Sequence, residues 1–421
     1  MAPTAAAPEL LSLATARSRV LAAANPLPIE PVPLGQAWGR ALGRDIVAPH
    51  GLPPFRNSSM DGVAVRSADT LGAAAHRPVD LRVVGVVAAG RAAAGAIGPG
   101  EAMRIMTGAM VPEGADAVVP VEEIEPGEGR GGQEQVHILR PVEPGAHLRE
   151  AGADLALGER ALPSGRELSA HDIALLAALG QGVVPVGARP KVAVISTGDE
   201  LLPVEAPLEP GSIRDSNLPM LEALLRECGS VVTSAVRAGD DPAEVASRIE
   251  QGLEAADVVI TVGGVSAGEF DPVKAALGSI GGIALWRVAM KPGRPQAFGT
   301  PHGKLFFGLP GNPASVACVF EVLVRPALRK LPGFSELDRP HLPVRAAVAV
   351  ASRKGRTDLI RARLTWRDGE WWAAPAGDQV SGHLAPQSRA EALLIVPEER
   401  SSLAPGDPAR ALLLRWPSPA A

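Results

Sequence analysis

The chain reads as a multidomain protein of α/β plus β class, built around a central three-layer α/β domain. Three observations predict this. Over residues 190–332, β-like apolar runs alternate with helix-like segments, which is βαβ order. Short alternating runs broken by Gly/Pro turns follow residue 50 and return from Glu336 onward, as in small β domains. The length of 421 residues exceeds one ordinary core, and 46 Gly with 41 Pro in no collagen-like period imply many turns and short elements.

From Glu9 to Ala24, the apolar positions Leu10, Leu13, Val20 and Leu21 fall near helical spacing, so a first helix is expected there, ending before Asn25-Pro26. Val79–Val84 and Gln135–Leu139 read as strands of a small β domain. Glu167–Leu179 looks helical and is expected to return onto the first helix, making one domain from two separated stretches. Val192–Ile195, Val258–Val262, Ile283–Arg287 and Leu305–Gly308 are the strands of the α/β region. Between them Asp215-Ser216-Asn217 caps one helix, and Asp241-Pro242-Ala243-Glu244 is a capping box with Pro at the first helical position. A right-handed, mostly parallel sheet with helices on both faces follows, and its ligands belong beyond the carboxyl ends of the strands. Val344–Val350, Ile360–Thr365, Trp371–Ala373 and Ala411–Arg415 then read as strands of a small β-barrel or sandwich.

Composition narrows the function. With 46% apolar and 21% charged residues the chain is of soluble globular type, and a net charge of −5 without a basic cluster argues against a nucleic-acid or anionic-membrane surface. The first residues lack a basic region, and no run of about 18 apolar residues occurs, which disfavours secretion and membrane spanning. Cys228 and Cys318 sit in apolar helix-like stretches without a CxxC neighbour, so disulfide, iron–sulfur and cysteine–zinc sites lack ligands and a reducing cytoplasm fits. The histidines show no HxxxH or HxH spacing, and neither GxSxG nor GxxxxGK[ST] occurs.

Two glycine-rich runs carry the strongest chemical signal. Gly263-Gly264-Val265-Ser266-Ala267-Gly268-Glu269-Phe270-Asp271 and Leu309-Pro310-Gly311-Asn312-Pro313-Ala314-Ser315 each follow a β-like run and precede a helix-like one. Bare backbone N–H groups therefore gather at helix starts, where an anion binds. Between them, Met290-Lys291-Pro292-Gly293-Arg294-Pro295 sets two cations three residues apart. Asp61, Asp154, Asp199, Glu200, Glu269 and Asp271 are the acidic candidates, and two or three near a substrate phosphate would suffice for Mg²⁺. Each motif also has a purely structural reading. Asp61-Gly62 is a common turn, Asp271-Pro272 an ordinary N-cap, Lys291-Pro292-Gly293 a solvated turn, and Asn312 a cap needing no ligand. Arg104, Thr107 and Gly108 make either a donor-rich turn or a β-hairpin.

Six segments, taken in order, resemble the molybdopterin molybdenumtransferases, the MoeA family, also found as the C-terminal part of gephyrin. They are Leu52–Val65 with its Asn57-Ser58-Ser59-Met60-Asp61-Gly62, Arg104–Val119, Val192–Leu201 with its Ser196-Thr197-Gly198-Asp199-Glu200, Gly263–Lys274, Lys291–Gly299 and Gly308–Ser315. The resemblance implies an L-shaped homodimer of four-domain protomers: residues 1–50 with 141–188 as an elongated helical domain, 51–140 as an inserted β lobe, 189–332 as the molybdopterin-binding α/β domain, and 333–421 as a C-terminal β-barrel-like domain. It implies insertion of molybdate into adenylylated molybdopterin with Mg²⁺-dependent release of AMP in the cytoplasm. A molybdopterin adenylyltransferase and apo-molybdoenzymes would be transient partners. The dithiolene sulfurs belong to the substrate, so the protein needs no cysteine ligand.

Carried over position by position, the resemblance gives Glu200 and Asp271 to metal or nucleotide handling, Asp61 to the opposite wall, and Lys291 with Arg294 to molybdate. Thr107, Arg149, Thr197, Gly198, Gly263, Gly264, Ser266, Gly268, Pro310, Gly311, Asn312 and Ser315 would bind the pterin nucleotide. In the implied dimer Asp61, Thr107 and Arg149 come from one subunit and the α/β loops from the other. Arg56, Ser59 and Val63 depart from the family's Phe-Asp-Asn-Ser-Ala-Met-Asp-Gly-Tyr-Ala. Glu150 stands for the second Arg of its Asn-Ile-Arg-Arg, and Ala153, Arg294 and Glu391 also differ. Two other functions stay open at this level: adenylylation of molybdopterin, which uses the same fold and Gly-rich loop, and a non-catalytic gephyrin-like scaffold. The choice between molybdate and tungstate is open as well.

Overall fold

The alternation that begins near residue 190 closes into a seven-stranded sheet in the computed structural model, which describes residues 9–91, 95–264 and 272–417. Its elements are β1 (Glu9–Leu11), α1 (Leu13–Ala23), β2 (Lys191–Thr197), α2 (Asn217–Glu227), β3 (Val231–Ala238), α3 (Pro242–Ala255), β4 (Val258–Val262), α4 (Pro272–Ile280), β5 (Ile283–Val288), β6 (Pro295–Gly299), β7 (Leu305–Leu309) and α5 (Pro313–Val319). The strand order is β1-β5-β6-β7-β4-β2-β3. β7, β4, β2 and β3 run parallel, whereas β6 is antiparallel to both neighbours.

The parallel block is apolar on both faces because helices cover both. Val192, Val194, Val258 and Ile260 pack with Leu221 and Leu225 of α2 and with Ala16 and Val20 of α1. On the opposite face Ala193, Ile195 and Val259 meet Val245, Ile249 and Leu253 of α3 and Ala276 and Leu277 of α4. Three layers result, as expected.

The first element differs from the expectation. Glu9–Leu11 is a strand paired parallel with β5, and the helix begins only at Leu13. Ser12 sets that start, its hydroxyl accepting from the Thr15 N–H at 3.1 Å; the apolar spacing alone passed over this cap. The later helix shortens to Ala170–Ala178. Glu244 also acts differently from a standard capping box, receiving the Gly239 N–H rather than that of Asp241.

This sheet belongs to a unit containing the chain up to Arg44, Ser164–Ala170 and everything from Val183 on. In it Ile29–Pro33 pairs with Val183–Gly187. The same unit carries a closed five-stranded barrel of His341–Ala346, Thr357–Arg367, Glu370–Pro375, Ala392–Val396 and Pro408–Leu413. Alternate residues such as Ile360, Ala362 and Leu364 fill it. Ala392–Val396 was not anticipated.

The second unit comprises Asp45–Pro163 and His171–Gly182. Its six-stranded sheet runs Ala117–Pro120, Gly62–Val65, Glu101–Ile105, Val79–Val87, Glu134–Ile138, Ile124–Glu128. Ile46–Val47 pairs there with Arg160–Leu162. Among the described residues no helix is long and apolar enough to cross a membrane.

Candidate active site

Both glycine-rich loops leave neighbouring parallel strands, β4 and β7, at their carboxyl ends. The Gly263 N–H donates to the Leu309 carbonyl at 3.1 Å, and a Cβ on Gly311 would lie 3.7 Å from the Gly263 Cα. The loops therefore converge. Gly263 has φ of 93°, and a Cβ there would lie 2.7 Å from the Thr197 carbonyl oxygen, so only glycine fits. Thr197 itself is buried, with its hydroxyl donating to the Val262 carbonyl at 3.2 Å. It acts as a wall behind Gly263. Pro310 and Ser315 are also buried, Gly198, Gly263 and Gly264 are half-buried, and Gly311 and Asn312 are exposed. Asn312 starts α5 without a side-chain capping bond, which leaves its carboxamide available. Ser266, Gly268, Glu269 and Asp271 lie outside the described residues.

Lys291 is not a freestanding solvated turn. Met290–Lys291 forms a short strand parallel to Thr357–Asp358 at the start of the barrel's long strand. The turn bends back at Gly293 (φ 99°), whose added Cβ would lie 3.5 Å from the Ser315 carbonyl oxygen. The basic turn thus packs on α5, between the Ser315 carbonyl and the Val319 side chain. Lys291, Pro292, Gly293 and Arg294 line a cavity of about 470 Å³ together with Arg353, Lys354 and Arg356. Arg356 is tied to buried Asp358 by bonds of 2.8 and 3.2 Å, and the other four cations face the cavity with no acid among its lining residues. Such a site suits a compact oxyanion.

The sequence reading missed Arg353, Lys354 and Arg356. Their run Arg353-Lys354-Gly355-Arg356 is a short basic cluster, overlooked because the chain as a whole is acidic.

Glu200 is exposed and folds back over Gly198 at the carboxyl end of β2. Beside it the Asp240 N–H donates to Asp199 at 3.1 Å, adding Asp240 to the rim. Among the described residues no group of three or more His, Cys, Asp or Glu is poised to hold a metal ion.

In the second unit Asp61 accepts from the Thr107 N–H at 2.6 Å and its hydroxyl at 2.9 Å. The backbone bond, then the hydroxyl bond, holds its carboxyl below the usual carboxylate range. Arg149 is exposed on a strand paired with Asn57–Ser58, in the same unit. Arg104 is instead engaged: it lies in a strand opposite Val63 and its guanidinium donates to Glu134 at 2.6 Å. Asp154 is exposed, its N–H held by the Leu52 carbonyl at 2.8 Å. Arg56 and Glu150, two of the departures noted above, pair with each other at 2.8 Å. Both change sign relative to the family's pattern, and here they form an ion pair.

Comparison with known proteins agrees with this fold. Residues 11–180 match the MoeA N-terminal region (domain I and II), 193–330 a probable molybdopterin binding domain, and 343–414 the MoeA C-terminal region (domain IV). Molybdopterin molybdenumtransferase 2 of Mycobacterium tuberculosis is 42% identical over 381 residues, covering 89% of this chain and 92% of that protein. The molybdopterin molybdenumtransferase of Bacillus subtilis is 34% identical, covering 92% and 91%. A crystal structure of the molybdopterin biosynthesis MoeA protein of Pyrococcus horikoshii is similar with a TM-score of 0.81 at 33% identity, covering 96% of this chain and 99% of that one. On the fold, the converging loops and these likenesses together, the chain belongs to the MoeA family of molybdopterin molybdenumtransferases.

Proposed function

We propose that this enzyme of molybdenum cofactor biosynthesis inserts molybdate into adenylylated molybdopterin and releases AMP, acting in the cytoplasm as a homodimer. A molybdopterin adenylyltransferase would supply its substrate and apo-molybdoenzymes would take its product. One observation carries the reading. The two glycine-rich loops converge at Gly263 and Gly311 beyond the carboxyl ends of β4 and β7 as an anion cradle, while the basic turn that packs on α5 through Gly293 opens on a cavity lined by Lys291, Arg294, Arg353 and Lys354, so there is one place for a phosphate and another for an oxyanion.

In this scheme the exposed Gly311–Asn312 backbone and the amides at Gly263 and Gly264 hold the phosphoanhydride. Lys291, Arg294, Arg353 and Lys354 hold molybdate by charge-assisted hydrogen bonds. Positioning and charge stabilisation carry the catalysis, as in other phosphoryl chemistry. Among the described residues no three acids gather into a complete cation site, and Glu200, exposed at the carboxyl end of β2, offers a single oxygen-donor carboxylate of the kind a hard cation takes. Glu200, with Asp271, would hold Mg²⁺. Bound there, the cation would supply positive charge to the phosphoanhydride oxygens as AMP departs. Asp61, oriented by Thr107, and Arg149 would serve substrate handling from the other subunit of the dimer.

Incubation of the purified protein with adenylylated molybdopterin, molybdate and Mg²⁺ tests the proposal. Molybdate-dependent AMP release is expected, and Glu200→Gln should slow it by at least about tenfold without loss of fold. ATP consumption on unmodified molybdopterin, or no AMP release, would contradict it.

A further inference from the structure

The start of α2 holds buried polar groups that the scheme above does not use. The short strand Ile213–Arg214, paired with Leu201–Leu202, delivers Asp215 to this point, and the Asp215 N–H donates to the Leu202 carbonyl at 3.0 Å. Asp215 Oδ1 accepts from the N–H groups of Asn217 and Leu218 at 3.0 and 3.1 Å, which completes the helix cap. The cap needs only one carboxyl oxygen. Oδ2 of Asp215, 2% exposed, has no hydrogen-bond partner among the described residues, and neither has Oδ1 of Asn217, 7% exposed.

Asn217 ties this helix start to the glycine loop. Its Nδ2 donates to the Gly311 carbonyl at 2.7 Å, which seats the carboxamide against the loop that forms the anion cradle. Ser196, alternating along β2 with Val192 and Val194, lies on the face that α2 covers, and its buried hydroxyl is likewise unpartnered among the described residues. Leaving a carboxyl oxygen and a carboxamide oxygen dry and unpaired costs stability, and neither capping nor packing requires it. A ligand that supplies donors accounts for both.

We infer that Asp215 Oδ2 and Asn217 Oδ1, at the start of α2 that Asn217 ties to Gly311, form an acceptor pair that binds two adjacent hydrogen-bond donors of the substrate once the helix start opens to admit them. The inference rests on the function proposed above. Adenylylated molybdopterin offers such a donor pair twice, as the ring N–H and amino group of its aminopyrimidinone and as the vicinal hydroxyls of its ribose. Adenine offers none, since its amino group is flanked by acceptors.

Calorimetric titration of the full-length protein with AMP, 2′-deoxy-AMP, 3′-deoxy-AMP and pterin separates the two sources. Asp215→Asn keeps the capping oxygen but turns the free acceptor into a donor, and Asp215→Ser keeps the cap and removes the group. Both should melt no earlier than the unaltered protein and bind the recognised ligand about tenfold to a hundredfold more weakly. If ribose is recognised, a deoxy analogue loses the same factor on the unaltered protein and nothing further on the variants. If the pterin is recognised, pterin binding falls and AMP binding does not. Unchanged affinity of both variants for AMP and pterin alike would overturn the inference and leave the proposed function standing. A lack of molybdate-dependent AMP release by the unaltered enzyme would remove both.

Discussion

Two glycines only a few ångströms apart should respond to the same methyl group in opposite ways. Gly263 has φ of 93°, and its added Cβ would lie 2.7 Å from a backbone carbonyl oxygen and 2.8 Å from the Thr197 hydroxyl. The left-handed backbone alone costs about 1–2 kcal/mol, and displacing a buried main-chain oxygen raises the total for Gly263→Ala to about 2–4 kcal/mol. Gly311 is not among the glycines of positive φ, and its Cβ would touch only the Gly263 Cα at 3.7 Å, an ordinary contact. Gly311→Ala should therefore be neutral or stabilising by up to about 1 kcal/mol, through the lost freedom of the unfolded chain. Yet that methyl projects between the two loops, where the phosphate is proposed to sit. Urea unfolding and AMP titration of both variants form the assay. Gly311→Ala should keep its unfolding midpoint and lose at least about tenfold in AMP affinity, whereas Gly263→Ala should lose both. A Gly311→Ala protein that binds AMP normally, or unfolds as early as Gly263→Ala, would refute the reasoning.

Other consequences are equally direct. Lys291→Ala and Lys354→Ala should each raise the molybdate concentration needed for half-maximal AMP release by about tenfold with little change in AMP affinity, and an unchanged molybdate dependence would make that cavity merely structural. The lowered carboxyl of Asp61 contributes stability that is fully present above the ordinary carboxylate range and is lost as pH falls through its depressed value. Thr107→Val removes one of the two donors, so that loss should move to higher pH; an Asp61 carboxyl signal titrating by NMR as before would contradict this. Burial pushes the thiols of Cys228 and Cys318 up to about 11 and about 12, so neither should react with an alkylating reagent in the native protein at neutral pH. Rapid labelling under native conditions would count against that packing.

The α/β region was legible because its signals are local. β4 is five consecutive buried residues, and Asp241-Pro242 announces α3. At the amino terminus the same periodicity misled, since a three-residue edge strand carries too few positions to reveal a period of two, and only the Ser12 cap marks the boundary. Long-range pairing was not readable either. That Lys291 joins the barrel strand at Asp358, and so brings Arg353 and Lys354 beside it, depends on contacts more than sixty residues apart in the chain. Asp215 illustrates a third limit: its capping role was plain from the Asp-Ser-Asn triplet, while its unpaired second oxygen appears only once the neighbours that bury it are in place. Likewise the pairing of Arg56 with Glu150, ninety-four residues apart in the chain, joins two departures that the sequence presents separately.

The central claim is that α5 joins a phosphate cradle to an oxyanion cavity. Crystals soaked with AMP and molybdate, measured at the molybdenum absorption edge, test it most directly. An anomalous peak between Lys291, Arg294 and Lys354, with the AMP phosphate on the Gly311–Asn312 backbone, is the predicted result. Molybdate found only elsewhere on the molecule, or AMP bound away from both glycine loops, would contradict the account.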